Sequence, residues 1–128
     1  MPPPFQRVWS TTEAGDVTCP LGTETVVATL NGISVPDPGS PVRLHGSAHV
    51  LTGVGATTIT PRIRRTSLTG AVVGESDAIA VVASSIVAIV YDVDDLPGDV
   101  ASLPYVLILI CAGVAGTKNN SYLSAVVG

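Results

Sequence analysis

The sequence of 128 residues predicts an all-β protein, a single-domain jelly-roll-like β-sandwich of antiparallel strands with an extended N-terminal arm. Short runs rich in valine, isoleucine and threonine alternate with turn residues at the spacing typical of sandwiches, for a count of about eight strands. No helix-length amphipathic pattern competes with these runs. Several connections are too long for simple hairpins, which favours a jelly roll.

The N-terminal arm is predicted to cover residues 1–12, and the sandwich domain residues 13–128. Three prolines, at positions 2 to 4, favour an extended polyproline conformation that donates no hydrogen bonds. Phe5, Val8 and Trp9 would then contact a partner, because large aromatic side chains on extended segments often anchor interfaces. The alternative is that residues 5–10 form the first strand, with Trp9 in the core of the domain itself.

The first predicted strands follow the arm in order. A run at 24–30 ends at the turn dipeptide Asn31-Gly32, and a short run at 33–35 ends at the proline-rich segment 36–39. Residues 41–52 alternate between apolar and polar side chains, which predicts a strand with one buried and one polar face. The predicted buried face consists of Val42, Leu44, Gly46, Ala48 and Val50.

The remaining strands are predicted at 56–66, 71–73, 78–83, 85–93, 105–114 and 121–127. Pro61 has no amide hydrogen for a ladder, so its strand is expected to be an edge strand or to carry a bulge. A helix is conceivable at 78–90, but the β-branched residues there favour strands.

The strand at 105–111 is apolar on both faces, which an isolated antiparallel sandwich does not require. We therefore predict a subunit interface there. Burial of one extra row of four such side chains would contribute on the order of 6 to 10 kcal/mol before association costs. The predicted interface residues are Tyr105, Leu107, Ile108, Leu109 and Ile110.

The composition also predicts that part of the surface is covered by a partner. Charged residues make up only 12% of the chain and the mean hydropathy is +0.51, whereas about a quarter of the residues of a typical soluble domain are charged. The missing charge predicts surface that is covered by partners. No apolar run is long enough for a bilayer, and a net charge of -4 with a single lysine argues against direct nucleic-acid binding. The start of the chain lacks a signal-peptide pattern, so synthesis in a cytoplasm is expected.

The densest carboxylate group consists of Asp92, Asp94, Asp95 and Asp99. Alternating aspartates on a turn suit a hard cation such as calcium, so these residues are weak metal candidates. The spacing does not match an EF-hand, and aspartate is also a common turn residue, which is the favoured interpretation.

Two histidines and two cysteines offer further candidates. His45 and His49 would share a strand face roughly 13 Å apart, too far for one metal ion, although a ring of them around a threefold axis could bind an ion or respond to pH. Cys19 and Cys111 match no zinc or redox motif and are predicted to be two buried free thiols.

A partner-facing basic patch is predicted at Arg43, Arg62, Arg64 and Arg65, which would suit an acidic partner protein. The alternative is a solvated edge strand whose charges prevent aggregation. No catalytic or phosphate-binding motif is present, so neither an enzyme activity nor a cofactor is expected.

The strand count, the Ser/Thr/Val/Gly-rich composition, the near absence of lysine and the final apolar strands resemble the small jelly-roll decoration proteins of tailed bacteriophages, over residues 24–127. These are also called cement or head-stabilising proteins. The resemblance implies a homotrimer that binds the major capsid protein on the exterior of the assembled virion, with residues 1–12 as an arm. It implies no contact with nucleic acid or membrane.

Two other functions are possible on such a scaffold. One is a ligand- or receptor-binding module, a lectin-like head, for which the few aromatic residues are a poor basis. The other is a cupin-like enzyme, which would need clustered histidines and a glutamate that the sequence lacks.

Overall fold

A computed structural model describes residues 7–36, 39–98 and 100–127, with the side chains of residues 100 and 101 left out. Over these ranges no helix has the length and apolar character needed to cross a membrane. The described residues form nine strands: β1 (Arg7–Cys19), β2 (Thr25–Val35), β3 (Val42–Thr52), β4 (Thr57–Arg65), β5 (Val72–Glu75), β6 (Ile79–Val81), β7 (Ile86–Asp95), β8 (Val100–Ala112) and β9 (Gly116–Val127).

The strands form two antiparallel sheets that face each other. Sheet A has the order β1-β9-β3-β7, and sheet B has the order β2-β8-β4-β5, with β6 also paired to β4. The chain crosses between the sheets at every connection except those from β4 to β5 and from β5 to β6. Because β5 and β6 share one position beside β4, the arrangement is that of an eight-stranded jelly roll with one strand divided. The predicted fold class is confirmed.

Pro61 of β4 explains why the neighbouring strand is divided into β5 and β6. β6 pairs with the beginning of β4 and β5 with its end, while the carbonyl of Pro61 accepts the Ser76 N–H at 3.1 Å between them. The N–H and C=O of a strand residue point to the same side, so the donor that Pro61 lacks faces the break. The proline therefore interrupts the neighbouring strand while β4 itself continues.

The N-terminal strand requires a correction to the predicted arm. β1 begins at Arg7 and pairs with β9 along its whole length, from Arg7 opposite Val127 to Cys19 opposite Gly116. Residues 7–12 thus belong to the sandwich, where the ladder satisfies their backbone groups. Val8 is 65% exposed, whereas Trp9 packs against the core, as in the alternative interpretation. Phe5 lies outside the described residues.

The predicted turn at Asn31-Gly32 is also corrected. The dipeptide lies inside β2, where the register to β8 shifts between Leu30 and Ile33. Gly32 has a φ of +77°, a left-handed conformation that a β-bulge accommodates and that glycine adopts without strain. The strand therefore continues to Val35.

The core lies between the sheets, with β3 and β8 at its centre. The predicted buried face of β3 is confirmed, since its five even-numbered side chains from Val42 to Val50 are all buried. A Cβ placed on Gly46 would come within 2.9 Å of the Leu107 Cδ1 atom, so the two sheets approach closely at this point. The segment 78–90 forms β6 and β7, as the β-branched residues predicted.

Candidate functional site

The strand predicted as a subunit interface lies at the centre of sheet B. Tyr105, Leu107 and Leu109 point into the core and are at most 1% exposed, while Ile108 on the opposite face is also fully buried. Ile110 is half-buried. This corrects the predicted interface, because the chain covers both faces of β8 itself.

The cover over the outer face of β8 is an ion-pair network that we call the outer clasp: Glu24, Arg62, Arg64 and Glu75. Glu24 Oε1 accepts from Arg62 Nη1 at 2.8 Å and from Arg64 Nε at 2.9 Å, and Glu75 pairs with Arg62. Arg62 lies opposite Ile108, which in turn lies opposite Val26 of β2. The guanidinium groups therefore reach from β4 across β8 towards Glu24, over Ile108. Hydrogen bonding from Arg64 lowers the pKa of Glu24.

A second network, the inner clasp, joins the two sheets. The Asp95 carboxylate at the end of β7 accepts from Arg65 at 2.6 and 2.7 Å, from the Tyr105 hydroxyl at 2.7 Å and from the Leu96 N–H at 2.9 Å. Burial alone would raise the pKa of Asp95, but the hydrogen bonds from Arg65 and Tyr105 outweigh it, so the pKa is lowered. Burial, together with Asp95, raises the pKa of Tyr105.

The clasps correct the predicted basic patch. Arg62, Arg64 and Arg65 are each paired with a carboxylate. Arg43 lies on the outer face of sheet A, on the other side of the sandwich, opposite Asp94 in the register. The four arginines do not form one surface.

The predicted aspartate site is likewise dispersed. Asp92 and Asp94 are exposed on sheet A, whereas Asp95 is buried in the inner clasp and Asp99 lies outside the described residues. Among the residues that the structure describes, no three His, Cys, Asp or Glu side chains are grouped so that they could hold a metal ion. The turn interpretation therefore fits Asp95, which also accepts the Leu96 N–H.

His45 and His49 alternate with buried residues on β3, so both belong to its outer face. The Nδ1 atom of His45 contacts the Asp92 carboxylate, and its ring centroid lies 6.1 Å from that of Tyr122. The His45 ring thus contacts two neighbouring side chains on the outer face of sheet A.

The largest group of exposed apolar side chains lies at one end of the sandwich, which we call the apolar tip. The connections 20–24, 53–56, 82–85 and 113–115 meet there, because the strands that they join all end on that side. Val54 is 94% exposed, and Val82 and Ile86 are each 70% exposed. The exposed apolar residues of the tip are Leu21, Leu51, Val54, Val82 and Ile86.

Two buried threonines hold the loops of the apolar tip together. Thr52 Oγ1 donates to the Val82 carbonyl at 2.8 Å, and Thr57 Oγ1 lies 2.9 Å from the carbonyls of both Ala112 and Val114. The Ser84 N–H donates to the Gly53 carbonyl at 2.7 Å. The apolar side chains are therefore carried on a fixed framework.

Three of the four loops of the apolar tip, 53–56, 82–85 and 113–115, have no charged side chain, and the fourth, 20–24, ends with Glu24. A shallow groove of about 310 Å³ continues the tip along the edge of sheet B, between the ends of β4 and β6. Sequence reasoning missed this surface. The signal available was the lack of charge at 51–61, 78–90 and 106–117, but only the topology shows that these segments share one end.

Structural comparison finds the same fold in viral capsid proteins of infectious bursal disease virus. A chain of the Gx strain aligns with a TM-score of 0.64 at 12% identity, over 95% of this chain and 33% of that one. The VP2 subviral particle gives a TM-score of 0.62 at 14% identity, over 95% and 32%. This chain thus spans about a third of the length of those proteins. No protein-family model and no curated protein matches the sequence.

Proposed function

We propose that this protein is a non-enzymatic virion structural protein, a decoration or cement protein that binds the exterior of an assembled capsid as a homotrimer. The apolar tip carries this proposal. Three of its four loops carry no charged side chain, and it has large exposed apolar side chains, which mark interaction sites on soluble proteins. The fold shared with viral capsid proteins is consistent with a role in a particle.

The energetics support contact through the tip. Full burial of a large apolar side chain contributes about 1.5 to 3 kcal/mol before association costs, and the tip offers several such side chains. The protein carries a net charge of -4, so the three uncharged loops of the tip are where another acidic protein would approach with the least repulsion. A protein that binds only the assembled shell stabilises that shell by mass action.

The residues predicted as a capsid-contact arm are reassigned in this proposal. Trp9 packs on the core and Val8 lies at the opposite end of the sandwich from the apolar tip. A contact by Phe5 and the other residues of segment 1–6 stays a separate prediction. Variants of the apolar tip and a truncation of segment 1–6 distinguish the two contacts.

The test is binding to capsids assembled from the major capsid protein of the same genome. We expect the double variant Val54→Asp with Ile86→Asp to lose about 100-fold or more in affinity by cosedimentation, since each change costs at least one apolar contact and places a charge in the interface. Both side chains are exposed, so the fold should be unaffected.

The matched control is Val90→Asp, an exposed valine on sheet A away from the tip, which should bind within threefold of the unmodified protein. A tip variant that binds as well as this control would contradict the proposed contact. Loss of binding in a truncation of residues 1–6, with the tip variant unaffected, would assign the contact to the N-terminal segment instead.

A further inference from the structure

Two thiols from distant parts of the chain meet across the sandwich near the apolar tip. Cys19 ends β1 in sheet A and Cys111 lies near the end of β8 in sheet B, and both are fully buried free cysteines, as predicted. The chain crosses between the sheets immediately after Cys19. Leu21 bridges to Cys111, and the Gly22 N–H donates to the Cys111 carbonyl at 2.7 Å. Cys19 lies opposite Gly116 in the ladder, and a Cβ placed on Gly116 would lie 3.5 Å from the Cys111 Sγ atom, so the two thiols face each other across the sandwich.

The surroundings of the pair suit a negative charge. Lys118 lies two residues after Gly116 on β9, and the two residues share the buried face of that strand. Lys118 is only 1% exposed, and its ammonium group donates to the Glu13 carbonyl at 3.2 Å, a neutral acceptor. Among the described carboxylates, none lies within ion-pair distance of Lys118. A buried ammonium group without a carboxylate is costly unless another anion balances it.

We propose that Cys19 and Cys111 form a latent disulfide site, which a peroxide oxidises to a covalent link between the two sheets. This goes beyond the proposed function and does not depend on it. No redox motif is visible in the sequence, since the two cysteines become neighbours only through the packing of the sheets.

The reaction balances with hydrogen peroxide as the oxidant. The Cys111 thiolate attacks one peroxide oxygen and the O–O bond breaks. The departing hydroxide takes up the proton that Cys111 released, which leaves a sulfenic acid and one water. The Cys19 sulfur then attacks the sulfenic sulfur, the S–S bond forms, and the hydroxyl leaves with the Cys19 proton as a second water. Two thiols and one peroxide thus give one disulfide and two waters.

The acidities of the pair fit these roles. The hydrogen bond from Cys19 lowers the pKa of Cys111 to about 7 in spite of burial, and the same interaction raises the pKa of Cys19. A thiolate is the nucleophilic form of cysteine. Because the pKa of Cys111 is the lowered one, Cys111 is assigned as the attacking sulfur and Cys19 as the sulfur that resolves the sulfenic acid.

The test uses the unmodified protein, oxidised with hydrogen peroxide and compared with a sample kept in reductant. We expect a mass loss of two hydrogens per chain, no thiols titratable after unfolding, and a melting temperature about 10 °C or more higher, because the link closes a long loop of the unfolded chain. Reduction should reverse all three changes.

Cys19→Ala and Cys111→Ala are the matched controls, each of which should gain no thermal stability from peroxide. If either control fails to fold, the mass and the thiol count of the oxidised unmodified protein still show whether the disulfide has formed. Two thiols that stay titratable after oxidation, a gain of oxygen atoms without a disulfide, or links between chains only would each overturn the proposal.

Discussion

Among individual residues, Asp95 shows most clearly how the environment decides a role that the sequence leaves open. In the sequence it belongs to a run of aspartates that suggests a cation site. In the structure its carboxylate is buried at the end of β7, where two side chains of the facing sheet donate to it. Its neighbours Asp92 and Asp94 point to the other side of the strand and stay exposed. Position on the pleat therefore separates a structural carboxylate from solvated ones.

We expect Asp95→Asn to lower the free energy of unfolding at neutral pH by about 2 to 4 kcal/mol, because Arg65 loses its charged partner in a partly buried site. The pKa of Asp95 is lowered in the folded state, so its contribution is present above the pKa of the unfolded chain, about 3.9, and is lost as the pH falls through the folded value. Denaturant titration at pH 7 and at pH 3 measures both effects.

The control for this change is Asp94→Asn, the exposed neighbour, which should alter stability by no more than about 0.5 kcal/mol. The difference between the free energies of unfolding of the two variants should be smaller at pH 3 than at pH 7. Equal stabilities at pH 7 would show that the inner clasp does not hold the sheets together.

At the scale of the strands, the sequence correctly predicted those strands that have one buried and one exposed face. β3 and β4 alternate strictly, and both were placed within a few residues. β1 was predicted only as the alternative interpretation of residues 5–10, because its polar residues carry no alternation and the prolines before it suggested an arm. The outer face of β8 looked like a subunit contact because the covering Glu24 lies far from Arg62 and Arg64 in the sequence. Long-range pairing of this kind is what local patterns do not encode.

Truncation tests the assignment of β1. We expect removal of residues 1–12 to destabilise the protein severely, because it strips Trp9 from the core and leaves half of β9 as an open edge. Removal of residues 1–6 should leave the melting temperature nearly unchanged. Circular dichroism melts of the two truncated proteins make the comparison, and equal melting temperatures would restore the arm as first predicted.

Taken as a whole, the molecule has a different kind of contact between its two sheets at each end of the sandwich. The inner clasp joins the sheets at one end, and the two thiols meet across them at the other. The surface between is poor in charge. Of the ten large apolar side chains that the structure shows exposed, five lie at the tip and four at the opposite end. Composition predicted a partner surface, and the location proposed for it depends on the connectivity of the strands.

We expect the purified protein to be a homotrimer in solution, because a chain with 12% charged residues leaves apolar surface that association covers. Light scattering coupled to size exclusion, over a range of concentrations, measures the mass directly. A mass of one chain, 13.0 kDa, at every concentration would contradict the trimer. The tip and sheet A variants described above, run on the same column, show which surface carries the association.

The pairing of Arg7 with Val127 has a practical consequence. Both chain ends of the described sandwich emerge side by side, at the end remote from the tip loops. A peptide or passenger domain attached at Arg7 or Val127 would start its path there, so it would be displayed outward from any surface on which the tip is seated. The same closeness makes the scaffold suited to circular permutation, since a short linker could join the ends and a new opening could be cut in a loop elsewhere.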